Sequence, residues 1–497
     1  MAVDTTLSAL SDIIPDYELI RDCVAGQRQI KKRGTKYLPD PDEGEPDQAE
    51  RDARYKGYKD RAVFYGVTGR TLRGLVGLVF DKDPAIEIPE LLEPVKEDAT
   101  GSGTTLDQQA QSSLSDVMAL GRAGLLTDYP RTAAPTTRAD ALAGNIRPTI
   151  IRYKPEQIIN WRTRTIGARV MLSLVVLRET YVADDDGFAE TVNEQFRVLR
   201  LDQESGNYIV EIHRNGQTGG LAVFETYQPT DGKGLPLKEI PFSFIGAEDN
   251  DPDVDRPPLL DIAELNVAHY RNSADYEESA FIVGQPTPVL AGLTKQWVDE
   301  ALKGRVRLGA RGAIPLPVGG SAELLQAEPN TLAFEAMQHK EKQMIALGAK
   351  LIENTGTQQT ATEATIDTVL DNSVLGTAAR NVSMAYRKCL NWAWLYMTGE
   401  VVDDPELIDY ELNTDFAARG LTAQDRQQIV QAWVQNAITW EEMRWNLKRS
   451  GVAYEDDEIA KDAIASAKEE SIEMEAAAAG ALADATGGTQ PGDPNAE

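Results

Sequence analysis

The side chains able to do chemistry are few in kind and poorly spaced for it. His213, His269 and His339 stand singly, and no two have the spacing that would put both imidazoles on one metal ion. The best metal candidate is the acidic run Glu248-Asp249-Asn250-Asp251-Pro252-Asp253-Val254-Asp255. Asp249, Asp251 and Asp253 alternate as calcium-loop ligands do, since oxygen donors at every second loop position can converge on a hard cation. In that pattern the glycine position holds Val254 and the closing glutamate position holds Leu260, so the run reads as a solvated loop. Gly69-Arg70-Thr71-Leu72-Arg73-Gly74 continues into Leu75-Val76, not into the Lys and Ser/Thr of a phosphate-binding loop. There is no G-x-S-x-G elbow. Cys23 and Cys389 form no pattern and read as buried structural thiols of a reducing compartment. Carboxylates are so abundant that no acid–base pair can be singled out. The sequence predicts no catalytic, metal or cofactor-binding residue.

The charge balance narrows the partners. The 497 residues carry 79 Asp and Glu against 50 Lys and Arg, a net charge of −29. A protein that reads DNA sequence needs a basic face, which this balance argues against. A protein that encloses DNA without gripping it is compatible, because like charge keeps a polyanion mobile. Apolar content of 42% excludes wholesale disorder, and the length predicts several domains. The first residues lack the basic-then-apolar pattern of a secretory signal. No run of about 18 apolar residues is present, so no membrane partner is predicted.

The elements organise around residues 257–330. Pro257-Pro258 suits a first helical turn, where no N–H partner is needed. The helix then runs without Gly or Pro to about Phe281 and stops at Gly284 and Pro286. At 1.5 Å per residue it spans roughly 35–40 Å. A matching helix starts near Leu332 and runs through Leu351, and the segment between is rich in Pro, Gly and β-formers. Upstream, residues 1–48 read as a polar arm with one weakly amphipathic stretch from Tyr17 to Val24, 48–78 as one helix, and 106–120 as another. Residues 149–244 read as one mostly antiparallel sheet, broken by turns such as Asp184-Asp185-Asp186-Gly187. Downstream come a long helix over 363–399, a strand at 410–413, and helices over 422–435, 439–450 and 456–475. Thr439-Trp440-Glu441-Glu442 forms a capping box there. An Ala/Gly/Pro/Asp-rich tail from 476 to 497 reads as disordered. The fold class is α+β.

The order of these elements resembles bacteriophage portal proteins, in particular a group of tailed-phage head proteins long carried as a domain of unknown function. The resemblance rests on Tyr65 through Gly77 (with Thr71-Leu72-Arg73-Gly74-Leu75-Val76-Gly77), Gly121-Arg122-Ala123-Gly124-Leu125-Leu126, Pro155-Glu156-Gln157-Ile158-Ile159-Asn160-Trp161-Arg162 and Pro257-Pro258-Leu259-Leu260 through Asn266 with His269-Tyr270-Arg271. Gly284-Gln285-Pro286-Thr287-Pro288 and Leu412-Asn413-Thr414-Asp415-Phe416 complete it, over about residues 50–460.

The resemblance implies a portal-type fold. Residues 1–48 would be an N-terminal arm, 49–256 and 363–416 a wing, and 417–475 a helical crown. Residues 257–284 and 331–353 would be the two stem helices, and 285–330 a small β-containing clip. Residues 354–362 would be a tunnel loop, with Asn354, Thr355, Gly356, Thr357, Gln358, Gln359 and Thr360 facing DNA. Lys295, Lys303, Arg305, Arg307 and Arg311 of the clip would meet partners. It implies a non-enzymatic homo-dodecamer at one capsid vertex, through which double-stranded DNA is packaged and ejected without sequence specificity. The implied partners are the major capsid protein and scaffold, the terminase large subunit, and a head–tail connector or adaptor. The implied locations are the virion and, during assembly, the host cytoplasm. The reading from another class is a metal-dependent nucleic-acid hydrolase using carboxylates around Asp249–Asp255.

Overall fold

Several helices in this computed structural model begin at side-chain caps, and where the strands pair follows from burial. Residues 2–130, 146–216, 220–284, 287–300, 316–325, 331–352 and 373–402 are described, with most of 404–416 and of 423–466. The chain opens with helices α1 (Ser8–Ala25) and α2 (Gln27–Arg33), hinged at Gly26, whose φ of 86° favours glycine. The expected polar arm over 1–48 is thus corrected. Leu10, Tyr17, Ile20, Cys23 and Ile30 are buried, but charged neighbours dilute the stripe they form. Tertiary packing, not the pattern, decides this segment.

Asp47 caps α3 (Gln48–Arg61), accepting from the amides of Ala49 and Glu50. Helix α4 (Val67–Val79) follows, so the single helix expected over 48–78 is two. The break is satisfied from elsewhere in the chain. Val63 N donates to Ser273 Oγ at 2.9 Å, and Phe64 N to Gln27 Oε1 at 3.1 Å. Strand β1 (Ala85–Glu87) and helix α5 (Glu93–Glu97) lead to α6 (Leu106–Leu120), which has the expected bounds. A Thr105–Gln108 capping box starts α6 and Gly121, at φ 77°, ends it.

Strands β2 (Arg122–Asp128), β3 (Thr149–Tyr153), β4 (Ile158–Ile166), β5 (Arg169–Asp185), β6 (Glu190–Leu201), β7 (Tyr208–Asn215), β8 (Leu221–Tyr227) and β9 (Phe242–Gly246) come next. They form two sheets where one was expected: an antiparallel β4-β5-β6-β7-β8 meander, and a three-stranded sheet in the order β3-β2-β9. Strand β2 is buried along almost its whole length, so it recruits β3 and β9 as its two edges. Gly124 on β2 has no alternative, since a Cβ there would lie 2.5 Å from the Phe242 ring.

Helix α7 (Leu260–Val283), strand β10 (Thr287–Ala291), helix α8 (Lys295–Glu300), strand β11 (Ser321–Leu325) and helix α9 (Leu332–Lys350) follow. Helix α10 (Val374–Thr398), capped by Ser373, then runs through the core, and β12 (Asp409–Glu411) pairs antiparallel with β1. The part of the expected long helix before residue 373 lies outside the described residues. On α10, Tyr386 Oη bonds Gln109 Oε1 at 3.2 Å and lies 3.0 Å from Ser113 Oγ, which ties the helix to α6. Asn381 Nδ2 donates to Gly246 O at 3.0 Å, tying α10 to β9.

Residues 1–414 form one compact unit and 415–497 a second. The second contains α11 (Ala423–Val434) and α12 (Trp440–Arg449), close to the expected spans. Thr439 and Glu442 make the expected capping box. Most of the expected helix over 456–475, and the whole tail from 476, lie outside the described residues.

Candidate functional site

Helices α7 and α9 form a two-helix shaft. His269 Nε2 is 3.2 Å from Glu341 Oε1, Lys340 Nζ reaches Asn272 Oδ1, and the rings of Tyr276 and Phe334 lie 5.8 Å apart. Partner numbers fall on α9 as they rise on α7, so the helices are antiparallel. Beyond them β10 and β11 pair antiparallel from Thr287↔Leu325 to Ala291↔Ser321. The segment between the helices is therefore an outlying ladder, with α8 inside the excursion.

The shaft is rooted by its first half. Leu260, Ile262, Ala263, Asn266, Val267, Tyr270 and Ala274 of α7 are buried, whereas Phe281 and Ile282 near its end are exposed. Nine residues follow Ala274, which places roughly 13 Å of helix beyond the core. Helix α3 braces that outer stretch. Tyr58 Oη donates to Asp275 Oδ1 at 2.6 Å, Arg61 bonds Glu278, and the Arg61 guanidinium lies 4.2 Å from the Phe281 ring. Sequence reading missed this brace, although Tyr58 and Arg61 share one helix face at i, i+3 spacing. It also missed Asn266. Fully buried, that amide accepts from Thr68 N and Thr68 Oγ1 and donates to Tyr65 O, closing the gap between α3 and α4. A single Asn inside an apolar helical stripe was its only signal. On α9 only Met344 is buried, while Leu332, Phe334 and Ile345 are exposed.

Of the expected clip residues, Lys295 is exposed at the start of α8; Lys303, Arg305, Arg307 and Arg311 lie outside the described residues. Asn354, Thr355, Gly356, Thr357, Gln358, Gln359 and Thr360 also lie outside them. The structure therefore brings none of these side chains together.

The acidic run before α7 is built as a brace, not a cation cage. Asp249 Oδ1 accepts from Asp251 N at 2.8 Å, Asp251 Oδ1 from Asp253 N at 2.7 Å, and Asp255 Oδ2 from Glu248 N at 2.9 Å. These three carboxylates each hold an amide of the loop itself. Among the described residues no group of three His, Cys, Asp or Glu side chains could hold a metal ion. The loop closes over Arg122, whose Nη1 donates to Pro252 O at 2.8 Å and Asp253 O at 2.6 Å. The guanidinium also lies about 4 Å from the ring centres of Trp161 and Phe244. Burial pulls its pKa down to about 10, against the opposing field of Asp255, Asp251 and Asp253. Burial likewise raises the thiols of Cys23 and Cys389 to about 12, leaving both unreactive.

Residues 258–397, from α7 through α10, match a family model described as Domain of unknown function (DUF4055); this is less than half of the chain. No curated protein matches the chain. Among solved structures the chain is similar to one described as the neck of an empty GTA particle computed with C6 symmetry, at 13% identity. That alignment covers 78% of this chain and 90% of the other, with a TM-score of 0.40. A second is the virion of a native gene transfer agent particle, at 12% identity, 82% and 95% coverage, and TM-score 0.39. A third is the neck of a native GTA particle computed with C12 symmetry, at 14% identity, 77% and 90% coverage, and TM-score 0.38.

Proposed function

We propose that this chain is a structural component of a phage-like particle, and specifically one subunit of a portal ring at a capsid vertex. The observation that carries the reading is the shaft. Two antiparallel helices leave the core with Phe281, Ile282, Leu332, Phe334 and Ile345 exposed along the rod. Packing the sides of each shaft against neighbours around a closed ring would cover them. The −29 charge suits a channel in which double-stranded DNA slides without being held.

In this reading α7 and α9 are the stem, and the β10–β11 excursion is the clip that docks the terminase large subunit and later a head–tail adaptor. The clip cations Lys295, Lys303, Arg305, Arg307 and Arg311 would steer that docking. Residues 354–362 would line the channel with uncharged polar side chains, and the wing would face the major capsid protein and scaffold. ATP hydrolysis would belong to the motor, not to this chain.

The test is the native mass and symmetry of the purified protein. Twelve copies of 54.4 kDa give 12 × 54.4 ≈ 653 kDa, and particle images should show a ring with a central channel. A stable monomer at micromolar concentration would sink the reading.

A further inference from the structure

A basic groove and an acidic finger lie on the first unit, and neither has a partner among the described residues. The groove is a cavity of about 540 Å³ where α1, α4, α6 and β3 meet, within the size range of sites that enclose a ligand. It opens because α4 approaches α1 closely at Gly69, where a Cβ would lie 3.0 Å from Val24 O, and then presents a bare edge at Gly77. Its walls carry Arg21, Arg73, Arg152 and Lys154 over an apolar floor of Leu72 and Val76. Arg21 is held by Glu156 at 2.5 and 2.9 Å, and Arg152 by Asp116. Arg73 and Lys154 are exposed, and neither makes an ion pair with a described residue. In a chain of net charge −29, this is a local excess of positive charge.

The finger is the end of the β5–β6 hairpin. Beyond the paired Glu179↔Gln195 position about six residues of each strand run on, roughly 20 Å. Residues 182–194 are all exposed. The tip is ordered by its own carboxylates: Gly187 N donates to Asp185 Oδ1 at 2.8 Å, and Ala189 N to Asp186 Oδ1 at 2.7 Å. Phe188 at its apex is wholly exposed, among Asp184, Asp185 and Glu190. An exposed aromatic side chain on an acidic tip is the complement of a basic groove with an apolar floor.

Resting on the ring reading, we infer that the β5–β6 tip of one copy docks in the α1–α4–α6 groove of the next. Phe188 meets Leu72 and Val76, and the tip carboxylates face Arg73 and Lys154. Two different surfaces then meet at each interface, the heterologous arrangement that closes into a ring. The charge pattern fixes the direction of travel, because a finger cannot pair with a finger or a groove with a groove.

Four variants of the chain test this by native mass across protein concentration at low salt. D184K/E190K and R73E/K154E should each raise the concentration for half-assembly at least about tenfold. The four changes combined in one chain should restore assembly. F188S should weaken it at low and high salt alike, and circular dichroism should be unchanged throughout, since these positions are exposed. Rings in all variants at wild-type concentrations, or no recovery in the combined variant, overturn the docking while the ring reading stands. A monomeric wild type overturns both. Loss of retention of a short DNA duplex by R73E/K154E, with assembly unaltered, assigns the groove to nucleic acid and also overturns the docking.

Discussion

Helices α10 and α9 make opposite use of similar material. Of the 25 residues of α10, 14 are buried; of the 19 in α9, only Met344 is. Both carry apolar side chains at helical spacing. Strands β2 and β9 and helix α6 cover α10 within the chain, whereas α9 has α7 along part of one side. A helix saturated by its own chain reports on folding, and one left half-covered reports on what the chain meets. Amphipathic patterning alone does not distinguish these cases, because it records that a face must be covered and not by whom.

Truncating the saturated helix gives the largest effect that can break this contrast. Tyr386→Ala removes a fully buried ring and its bonds to α6, and should cost about 3–5 kcal/mol in denaturant unfolding; a cost under about 1 kcal/mol would put α10 on a par with the shaft. Asp22 offers a pH test of how firmly the core is tied at its N-terminal end. Burial pushes its carboxyl up, but hydrogen bonds from Arg33, Tyr37 and Gln29 outweigh that and hold it below the usual range. A depressed folded value means a contribution complete above roughly pH 4 and lost as pH falls through the folded pKa. Asp22→Asn should therefore destabilise by about 1–2 kcal/mol at pH 7, with the gap to wild type narrowing on acid titration below pH ~4.

Arg61→Ala should act on the shaft alone. The loss is about 1 kcal/mol, read as faster amide exchange over 275–283 with α10 unchanged; equal acceleration in α10 would mean that shaft and core open together. Ile345→Ser, at a position 70% exposed, should shift single-chain stability by no more than about 0.5 kcal/mol. Its effect should appear in self-association instead. A loss of 2 kcal/mol or more in single-chain stability would mean that α9 is already covered by its own chain.

Much of the scaffold was legible because its signals are local. Gly121 ends α6, Gly187 and Gly206 sit at hairpin turns with positive φ, and Gly284 follows α7. What was illegible depended on distant partners. Nothing near residue 62 announces a helix break, because the groups that satisfy it lie elsewhere: Gln27 is 37 positions away, and Ser273 and Asn266 are 210 and 201. The buried stripe of α1 was hidden by Glu18, Arg21 and Asp22, and the last of these is itself buried in an ion pair with Arg33. For the candidate site, sequence located the two shaft helices and the strand-forming character between them. It missed the brace from α3, and it read the acidic run as a solvated loop while keeping its carboxylates as an alternative metal site. The amides that Asp249 and Asp251 accept from shape that loop, and residue spacing does not encode them.

The shaft is held at both ends, and that restricts how it can move. At one end α7 is embedded in the core, and Leu375 N bonds Leu351 O just past α9. At the other, only three residues separate α7 from the five-position β10–β11 ladder. Sliding one helix past the other by a single turn, about 5.4 Å, would break the Lys340–Asn272 and His269–Glu341 contacts together. A load applied at the excursion therefore reaches the core as tilt or torsion of the whole pair. The shaft is a clamped beam, rooted through Leu260–Ala274 and braced by α3 from Asp275 to Phe281.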